Sequence, residues 1–356
     1  SSPARNTADR RELGTYYDPN TSSYFQLKPA AEFTLGNLQR TFIKIEEDSE
    51  QLALNLKFPF DFWSGREGYV KVGLFQDRVE RTFNQETFSN FNDPNNSFAG
   101  EWTGLSWSQN WLFEEHLISA GETDVDYTGS QDISAQYLMA ELPLTEALKV
   151  VAGMRFESTD INIRSSPEAN ATWVPSFDAN GNPNYGIAAF PAGPGDPNYD
   201  PALFDLANPS RSQSDVLPAI SFVYELTDSL TARASYAETL ARQTFKELSP
   251  VFQQDYIGGP VFIGDPNLEI SNVQNIDFRL DYVPAVGSLM SVSYFEKDIE
   301  KPIEYVEAAQ GFTFTKPVNY PRGKLSGWEV ELRQSFDSTW GAAEGLTLGG
   351  NSTWID

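Results

Sequence analysis

Apolar and polar residues alternate one by one along many short stretches of this chain. In the clearest stretch, residues 275–282, every second residue is apolar: Ile276, Phe278, Leu280 and Tyr282. The residues between them are polar, and three of them are charged: Asn275, Asp277, Arg279 and Asp281. Because successive side chains of a β-strand point to opposite faces, this pattern predicts a strand with one apolar and one charged face.

The same alternation predicts about ten strands along the chain. They span residues 51–58, 68–81, 132–142, 149–164, 215–226, 229–240, 275–282, 288–299, 327–336 and 346–354. The alternation is poor in the third of these strands. A weaker candidate strand, at residues 41–45, precedes them all.

The predicted connections between these strands alternate strictly in length. The short ones are residues 59–67, 143–148, 227–228, 284–287 and 337–345, and the long ones are residues 82–131, 165–214, 241–271 and 300–324. Outer-membrane barrels have short periplasmic turns and long extracellular loops, whereas a soluble β-sandwich has no reason to sort its loops by length. The sequence therefore predicts an all-β fold, part of a large antiparallel up-and-down transmembrane β-barrel, with about 10–12 strands in this chain.

Composition excludes several classes of protein. The 356 residues carry 50 Asp and Glu against 25 Lys and Arg, a formal net charge of −25. No run approaches the roughly 18 apolar residues that a membrane helix needs, which argues against a helical membrane protein. The acidic balance and the lack of a basic patch argue against nucleic acid as a partner. His116 is the single histidine and no catalytic constellation is apparent, so we predict that the protein is not an enzyme.

Several motifs follow one another in a specific order. Residues 153–159 read GMRFEST, residues 235–250 read SYAETLARQTFKELSP, and residues 264–268 read GDPNL shortly before the strand at 275–282. Residues 292–299 read VSYFEKDI, and residues 327–332 read GWEVEL. In order and spacing this set resembles the barrel strands of TonB-dependent outer-membrane receptors, well over residues 130–356 and loosely over 50–90. The chain departs from the family pattern at Gln243, where Pro is usual, and at Asp265, where Asn is usual.

The resemblance implies an architecture and a set of partners. Such receptors have a barrel of 22 strands filled by an N-terminal plug, in the outer membrane of a Gram-negative bacterium. We expect residues 1–356 to be a segment of that barrel, with the plug domain and the C-terminal closing strands outside this chain. The implied partners are outer-membrane lipid, a small-molecule or oligosaccharide ligand bound at the loops and plug apex, and the TonB–ExbB–ExbD complex, reached through the plug.

Charged residues on the polar faces of two strands are predicted to face the barrel lumen. They are Asp277, Arg279, Asp281, Glu329, Glu331 and Arg333. Polar lumens are general in such barrels, so we favour pairing across strands or contact with a plug over a direct role in ligand binding.

The loops carry the candidate ligand-binding residues. No Lys or Arg occurs between Arg81 and Lys149, while eleven Asp and Glu do. Sugars stack on aromatic rings and donate hydroxyls to carboxylates, and cations bind both groups. The candidates are therefore Trp102, Trp107, Trp111, Trp173, Glu101, Glu114 and Glu115. The alternative is that these Trp residues are packed loop anchors.

Calcium is the one cofactor that the sequence suggests, since clusters of oxygen ligands suit hard cations. The candidate ligands in the loops are Asp124, Asp126 and Asp178. The alternative is a generally acidic surface that binds no specific ion.

Energised import of a scarce solute, a carbohydrate or a siderophore, is the leading functional hypothesis. The alternatives are a passive porin-like channel and a glycan-binding β-sandwich. The last of these predicts that the apolar strand faces are buried against a second sheet, which coordinates can decide.

Overall fold

The computed structural model describes residues 15–18, 23–26, 38–90, 119–120, 125–167, 171–173, 188–253, 260–310, 312–336 and 345–356. In chain order its elements are β1 (Thr15–Asp18), β2 (Ser23–Gln26), β3 (Leu38–Asp61), β4 (Glu67–Asn90), β5 (Ser119–Ala120), β6 (Val125–Pro143), β7 (Leu148–Pro167), β8 (Thr172–Trp173), β9 (Ala188–Ala189), α1 (Pro201–Ala207), β10 (Ser210–Thr227), β11 (Leu230–Ala241), α2 (Phe245–Leu248), β12 (Phe252–Gln253), β13 (Val261–Ile263), β14 (Ser271–Tyr282), β15 (Leu289–Glu300), β16 (Ile303–Gln310), β17 (Phe312–Asn319), β18 (Arg322–Ser335) and β19 (Thr347–Ile355).

One large antiparallel sheet organises the chain. Its order is β19-β18-β15-β14-β11-β10-β7-β6-β4-β3, and the short β5 pairs with the far end of β4. Each long strand therefore pairs with the long strand before it and the one after it, as an up-and-down barrel wall requires. The sheet is open, with β3 and β19 as its two edges. The predicted fold class and the ten predicted strands are confirmed.

The predicted strand boundaries need correction at one end of the sheet. β3 and β4 are 24 residues each, whereas a tilted strand needs only about 9–11 residues to cross a membrane. The separate strands predicted at 41–45 and 51–58 form the single strand β3, because the charged run 46–50 is paired with β4 although it has no apolar face. The long loops are correspondingly shorter than predicted.

Connection lengths alternate in the structure as the sequence predicts. Short turns join β3 to β4, β6 to β7 and β10 to β11, and the long connections leave from the opposite end of the sheet. The sequence analysis missed the elements within the long connections, namely α1, α2, β5, β8, β9, β12, β13, β16 and β17. Seven of these elements are only two to seven residues long, which is too short for a clear periodic pattern, whereas β16 and β17 have eight residues each and were missed although strands of that length were predicted elsewhere.

One face of the large sheet is apolar and exposed along most of its length. We call it the outer face. Leu56, Val72, Leu138 and Met154 form one row across four strands, and Leu138 is 55% exposed. In the described part of the chain no second sheet covers this face. Large exposed apolar surfaces mark contact with a partner or a membrane, so the β-sandwich alternative fails. Among the described residues, no helix is both long enough and apolar enough to span a membrane.

The opposite face, which we call the inner face, carries polar side chains over most of its length and an apolar core at the long-loop end. There Phe83, Tyr127, Ile161 and Ile163 of the sheet pack against Phe245, Leu248, Val251 and Leu268 of the loops. The loop that leaves β11 therefore folds back over the inner face of β4, β6 and β7, and Ile303 of β16 packs against the same core.

Two of these loops join into one structure, which we call the loop module: α2, β12, β13, β16 and β17. Its four strands form a small sheet in the order β12-β13-β17-β16, in which β13 and β17 pair in parallel. Phe252, Ile263 and Phe314 form its own small core. The loop module therefore links two segments of the chain that the long strands β14 and β15 separate.

Candidate functional site

The most buried ion pairs of the inner face lie where the loop module begins. Glu157 of β7 is 6% exposed; it accepts a hydrogen bond of 2.6 Å from Nε of Arg155 and forms an ion pair with Arg242. Arg242, the first residue after β11, also donates from Nε to Oγ1 of Thr159 at 3.1 Å. A buried carboxylate needs such partners, so this cluster fixes the point at which the chain leaves β11.

A second cluster of charges crosses the inner face of β11, β14 and β18. Arg279 Nε contacts Oδ1 of Asp281 at 2.6 Å, and its Nη2 lies 3.4 Å from Oε2 of Glu331. Arg233 Nε lies 3.2 Å from the other oxygen of Asp281. Three of the six residues predicted to face the lumen, Arg279, Asp281 and Glu331, thus form one network that satisfies the buried Asp281.

The other three predicted lumen residues lie on the same face. Asp277, Glu329 and Arg333 occupy the strand positions that alternate with the apolar outer face, as the pairing of β14, β15 and β18 requires. They line the inner face beside the network. Their predicted structural role as partners across strands, or as contacts to a plug, remains a prediction.

Phe245 of α2 anchors the loop module to the wall. A Cβ atom on Gly129 would lie only 2.5 Å from Cδ1 of Phe245, so the absence of a side chain on β6 admits the ring. The guanidinium group of Arg81 on β4 lies over the Phe245 ring, with its Cζ atom 5.4 Å from the ring centroid. The module is therefore held by shape and by a cation–π contact.

Within the loop module, Glu247 ties α2 to β16. The Thr244 side chain accepts from the Glu247 backbone while the Glu247 side chain accepts from the Thr244 N–H, which makes a capping box. The Tyr305 hydroxyl donates to the remaining carboxylate oxygen at 2.9 Å. Desolvation by the surrounding protein, together with this nearby carboxylate, raises the pKa of Tyr305 to about 12. The phenol thus stays protonated and able to donate at physiological pH.

Asp265 ties β13 to β17. Its carboxylate lies 3.0 Å from Nζ of Lys316, and both side chains are nearly buried. Its backbone N–H donates to the carbonyl of Glu247 at 2.7 Å. Asp265 is the residue at which the sequence departs from the usual Asn, and the charge on Lys316 gives a reason for a carboxylate at that position.

Two cavities in the described part of the chain have different characters. One, of about 1070 Å³, lies beyond the apolar band of the outer face and is lined by Glu46, Asp48, Glu80, Arg164 and Phe204 among others. The other, of about 310 Å³, lies on the inner face. It is lined by wall strands β7 and β10 and by the residues that follow β11 or precede β14. Only the second opens towards the space that a barrel would enclose.

The structure describes two of the loop residues predicted as ligands. Trp173 is 1% exposed, packs against Phe190 with ring centroids 5.5 Å apart, and donates from Nε1 to the carbonyl of Ala189. This placement favours the anchor interpretation over stacking on a sugar. Asp126 accepts from Nδ2 of Asn84 at 2.7 Å and from the N–H of Gln85 at 2.9 Å.

The remaining loop candidates lie outside the described residues: Trp102, Trp107, Trp111, Glu101, Glu114, Glu115, Asp124 and Asp178. Their roles in binding a ligand or calcium stay predictions. Within the described ranges, His, Cys, Asp and Glu side chains form no group of three or more that could hold a metal.

Sequence reasoning missed the residues that bring the loop module and the wall together. Arg242 and Gln243 stand inside the recognised motif at 235–250, yet their partners Glu157 and Leu268 are 85 and 25 residues away. The one available signal was Gln243 itself, since a polar side chain in place of Pro suggests a specific hydrogen bond.

Comparison with known proteins gives one family. A family model described as TonB dependent receptor-like, beta-barrel, matches residues 2–356. Among curated proteins, none matches the sequence.

Several solved structures are similar to the chain at low sequence identity. The ferric citrate transporter FecA in its unliganded form is 11% identical, with a TM-score of 0.52 and coverage of 89% of this chain and 36% of its own. The copper transporter OprC is 12% identical, with a TM-score of 0.50 and coverage of 88% and 39%. The alcaligin receptor FauA from Bordetella pertussis is 12% identical, with a TM-score of 0.45 and coverage of 88% and 40%. The chain thus spans less than half the length of these structures.

Proposed function

The chain belongs to the TonB-dependent receptor family as part of its β-barrel, and from this premise we propose that the whole protein imports a scarce solute into the periplasm with energy supplied through TonB. Proteins of this family lie in the outer membrane of Gram-negative bacteria, and so does this chain. The observation that carries the proposal is the match of the barrel family model to residues 2–356.

The two faces of the sheet support transport across a membrane. Apolar side chains of the outer face, such as Leu54 and Leu74, are 54% exposed and would contact lipid. The inner face carries paired charges, and the loop module covers part of it at the long-loop end. A wall with a polar inner face and a structured loop module above it fits a selective receptor better than an open pore.

The solute is a separate part of the proposal. Two solved structures of the same fold are named as transporters of ferric citrate and of copper. The fold alone therefore does not determine which solute is transported. We propose a carbohydrate, on the basis of the Trp and carboxylate residues of the loop between β4 and β6, or a siderophore, on the basis of the family to which the chain belongs. Calcium bound by the acidic loops remains a further proposal, with Asp126 as its described candidate.

Energised import is tested by comparing binding with uptake. Cells that express the full-length receptor are given a panel of ferric siderophores and neutral oligosaccharides, with and without a functional TonB. We expect one class of solute to bind with high affinity in both strains and to enter only the strain with TonB.

Two outcomes would contradict the proposal. Uptake that is equal in both strains would show that TonB supplies no energy. Large ionic conductance of the purified receptor in planar bilayers, together with weak solute binding, would instead identify a passive channel.

A further inference from the structure

A groove of about 540 Å³ lies in the outer face, at the end of its apolar band nearer the long loops. Three serines that pair in register across β6, β7 and β10 line part of it: Ser134, Ser158 and Ser214. Larger apolar side chains line the rest, and each of them is at least half exposed: Leu52, Leu54, Leu74, Phe156 and Val216. The small side chains next to large ones leave a depression in the surface that contacts lipid, and its volume is within the range of ligand sites.

Charged side chains follow on the same strands, between this groove and the long loops. The next outer-face positions carry Arg78 of β4, Asp132 of β6 and Asp160 of β7, which are in register with one another. The positions after those include Asp48 and Glu80, which line the cavity of about 1070 Å³ described above. Because outer-face positions recur every second residue, these two rows are about 6.6–6.8 Å apart. The apolar groove is therefore followed by a polar cavity on the same side of the wall.

Two pairs of carboxylates stand opposite each other in these rows. Asp48 of β3 is in register with Glu80 of β4, and Asp132 of β6 is in register with Asp160 of β7. Like charges directly opposite on neighbouring strands destabilise a sheet. Nε of Arg78 lies 2.7 Å from Oδ1 of Asp132 and compensates that carboxylate. In the described part of the chain no Lys or Arg forms an ion pair with Asp48, Glu80 or Asp160, so a cation from elsewhere would relieve their repulsion.

The surface around these pairs is acidic as a whole. The outer-face positions within residues 44–50, 78–82, 128–132 and 160–164 carry six Asp or Glu side chains, against the cations Lys44, Arg78 and Arg164. This excess repels an anionic head group and attracts an ammonium group. Within the described ranges, acidic side chains form no group of three or more that could hold a metal ion. The charges therefore favour an organic cation over a phosphate that is bridged to the protein by a metal.

A membrane lipid combines the two properties, since its acyl chain is apolar and its polar head lies at the edge of the hydrocarbon layer. We propose that the groove and the two charged rows beside it form a docking site for one membrane lipid whose head group carries a protonated amine. The acyl chain lies along the groove, and the ammonium group donates hydrogen bonds to Asp48 and Glu80. The inference concerns the outside of the barrel wall and depends neither on the transported solute nor on TonB.

The docking site is tested on the purified full-length receptor by native mass spectrometry, with lipids titrated into the protein in detergent. Phosphatidylethanolamine is the amine-bearing probe, and phosphatidylglycerol with the same acyl chains is the anionic probe. At equal concentrations we expect the first bound lipid to be phosphatidylethanolamine about fivefold more often than phosphatidylglycerol, as a favourable charge contact near the surface allows.

Three variants locate the binding. Asp48→Asn combined with Glu80→Gln removes one opposed pair of exposed carboxylates and should reduce the preference to about twofold or less. Glu296→Gln combined with Glu300→Gln is the matched control, because it removes two carboxylates from the outer face of β15, away from the groove, and should leave the preference unchanged. Ser158→Leu fills the groove and should lower the occupancy of both lipids, since it acts on the acyl chain.

Contrary results would overturn the docking site and are distinct from failure of the proposed function. Equal occupancy by the two lipids in the unaltered receptor, or a preference that persists in Asp48→Asn with Glu80→Gln, would show that these carboxylates do not select the head group. Phosphatidylglycerol that binds as well as phosphatidylethanolamine once Ca²⁺ is added would identify a phosphate bridged by metal instead. Absence of TonB-driven uptake would overturn the proposed function and leave the docking site in place.

Discussion

At the scale of single residues, glycines of the inner face allow side chains of neighbouring strands to lie flat on the backbone. A Cβ on Gly73 would lie 2.2 Å from Cε1 of Tyr137, and one on Gly327 would lie 2.6 Å from Cζ of Phe295. Glycine is unfavourable within a strand by itself, yet here it permits a close approach of a ring. The Tyr137 hydroxyl in turn donates to Asn55 of β3, so one ring links three strands.

We predict that Gly73→Ala destabilises the barrel by about 1–3 kcal/mol, because the added methyl group overpacks the Tyr137 ring. The free energy of unfolding in detergent or lipid, from denaturant titration, measures the effect. Gly350→Ala on β19 is the matched control, since a Cβ there meets no atom within 4 Å. Equal stability of the two variants would contradict the packing argument.

At the scale of elements, the loop module is held to the wall by contacts between parts of the chain that are distant in sequence. Phe245 of α2 lies against Gly129 of β6, and Arg242 forms an ion pair with Glu157 of β7. Inside the module the parallel pairing of β13 with β17 joins two loops. The module should therefore loosen as a unit when its anchor is disturbed.

We predict that Gly129→Ala weakens the docking of α2, because the new Cβ would lie 2.5 Å from the Phe245 ring. Hydrogen exchange of the full-length receptor should become at least several-fold faster in residues 244–253 and 261–270, with little change in β14 and β15. The double variant Gly129→Ala with Phe245→Leu should recover part of the protection, because the smaller side chain relieves the overlap.

Gly193→Ala serves as the control for this experiment, since a Cβ at Gly193 meets no atom within 4 Å. Unchanged exchange in Gly129→Ala, or exchange that rises equally over the whole sheet, would show that α2 does not depend on this contact.

At the scale of the whole molecule, the sheet separates an apolar face from a charged one over ten long strands. Leu138 on the outer face is 55% exposed, while on the inner face Asp281 is nearly buried among its ion-pair partners. In water this distribution would expose a large apolar surface, but in a bilayer the same surface contacts hydrocarbon at no cost. The membrane is therefore part of the environment that stabilises the fold.

We predict that Leu138→Arg destabilises the full-length barrel in lipid vesicles by about 2–4 kcal/mol, the cost of an arginine near the middle of the lipid-facing surface. Gln51→Arg is the control, because Gln51 is exposed and lies on the inner face opposite Asp77. Its effect should stay within about 0.5 kcal/mol, as for an ordinary surface substitution. A cost for Leu138→Arg no larger than that of the control would mean that this face does not contact lipid.

The alternation of residue types alone determined which side chains share a face. Ile276 and Phe278 had to lie on one side of β14, and Asp277 and Arg279 on the other, since a strand has a period of two whatever its neighbours are. The order of short and long connections fixed the up-and-down path in the same way. Strand ends were less predictable: the charged residues 46–50 pair with β4 beyond the apolar band, where no apolar face is needed and the pattern carries no signal.

Only the tertiary structure decided which distant residues meet. Arg242 and Glu157 are 85 residues apart, and nothing local to either of them specifies the partner. The burial of Trp173 against Phe190, the union of two loops in one module and the cavity around Gln243 depend likewise on how the loops fold back over the wall. Local chemistry fixes the face on which a side chain lies, but its contacts are set by a chain path that the periodic pattern does not encode.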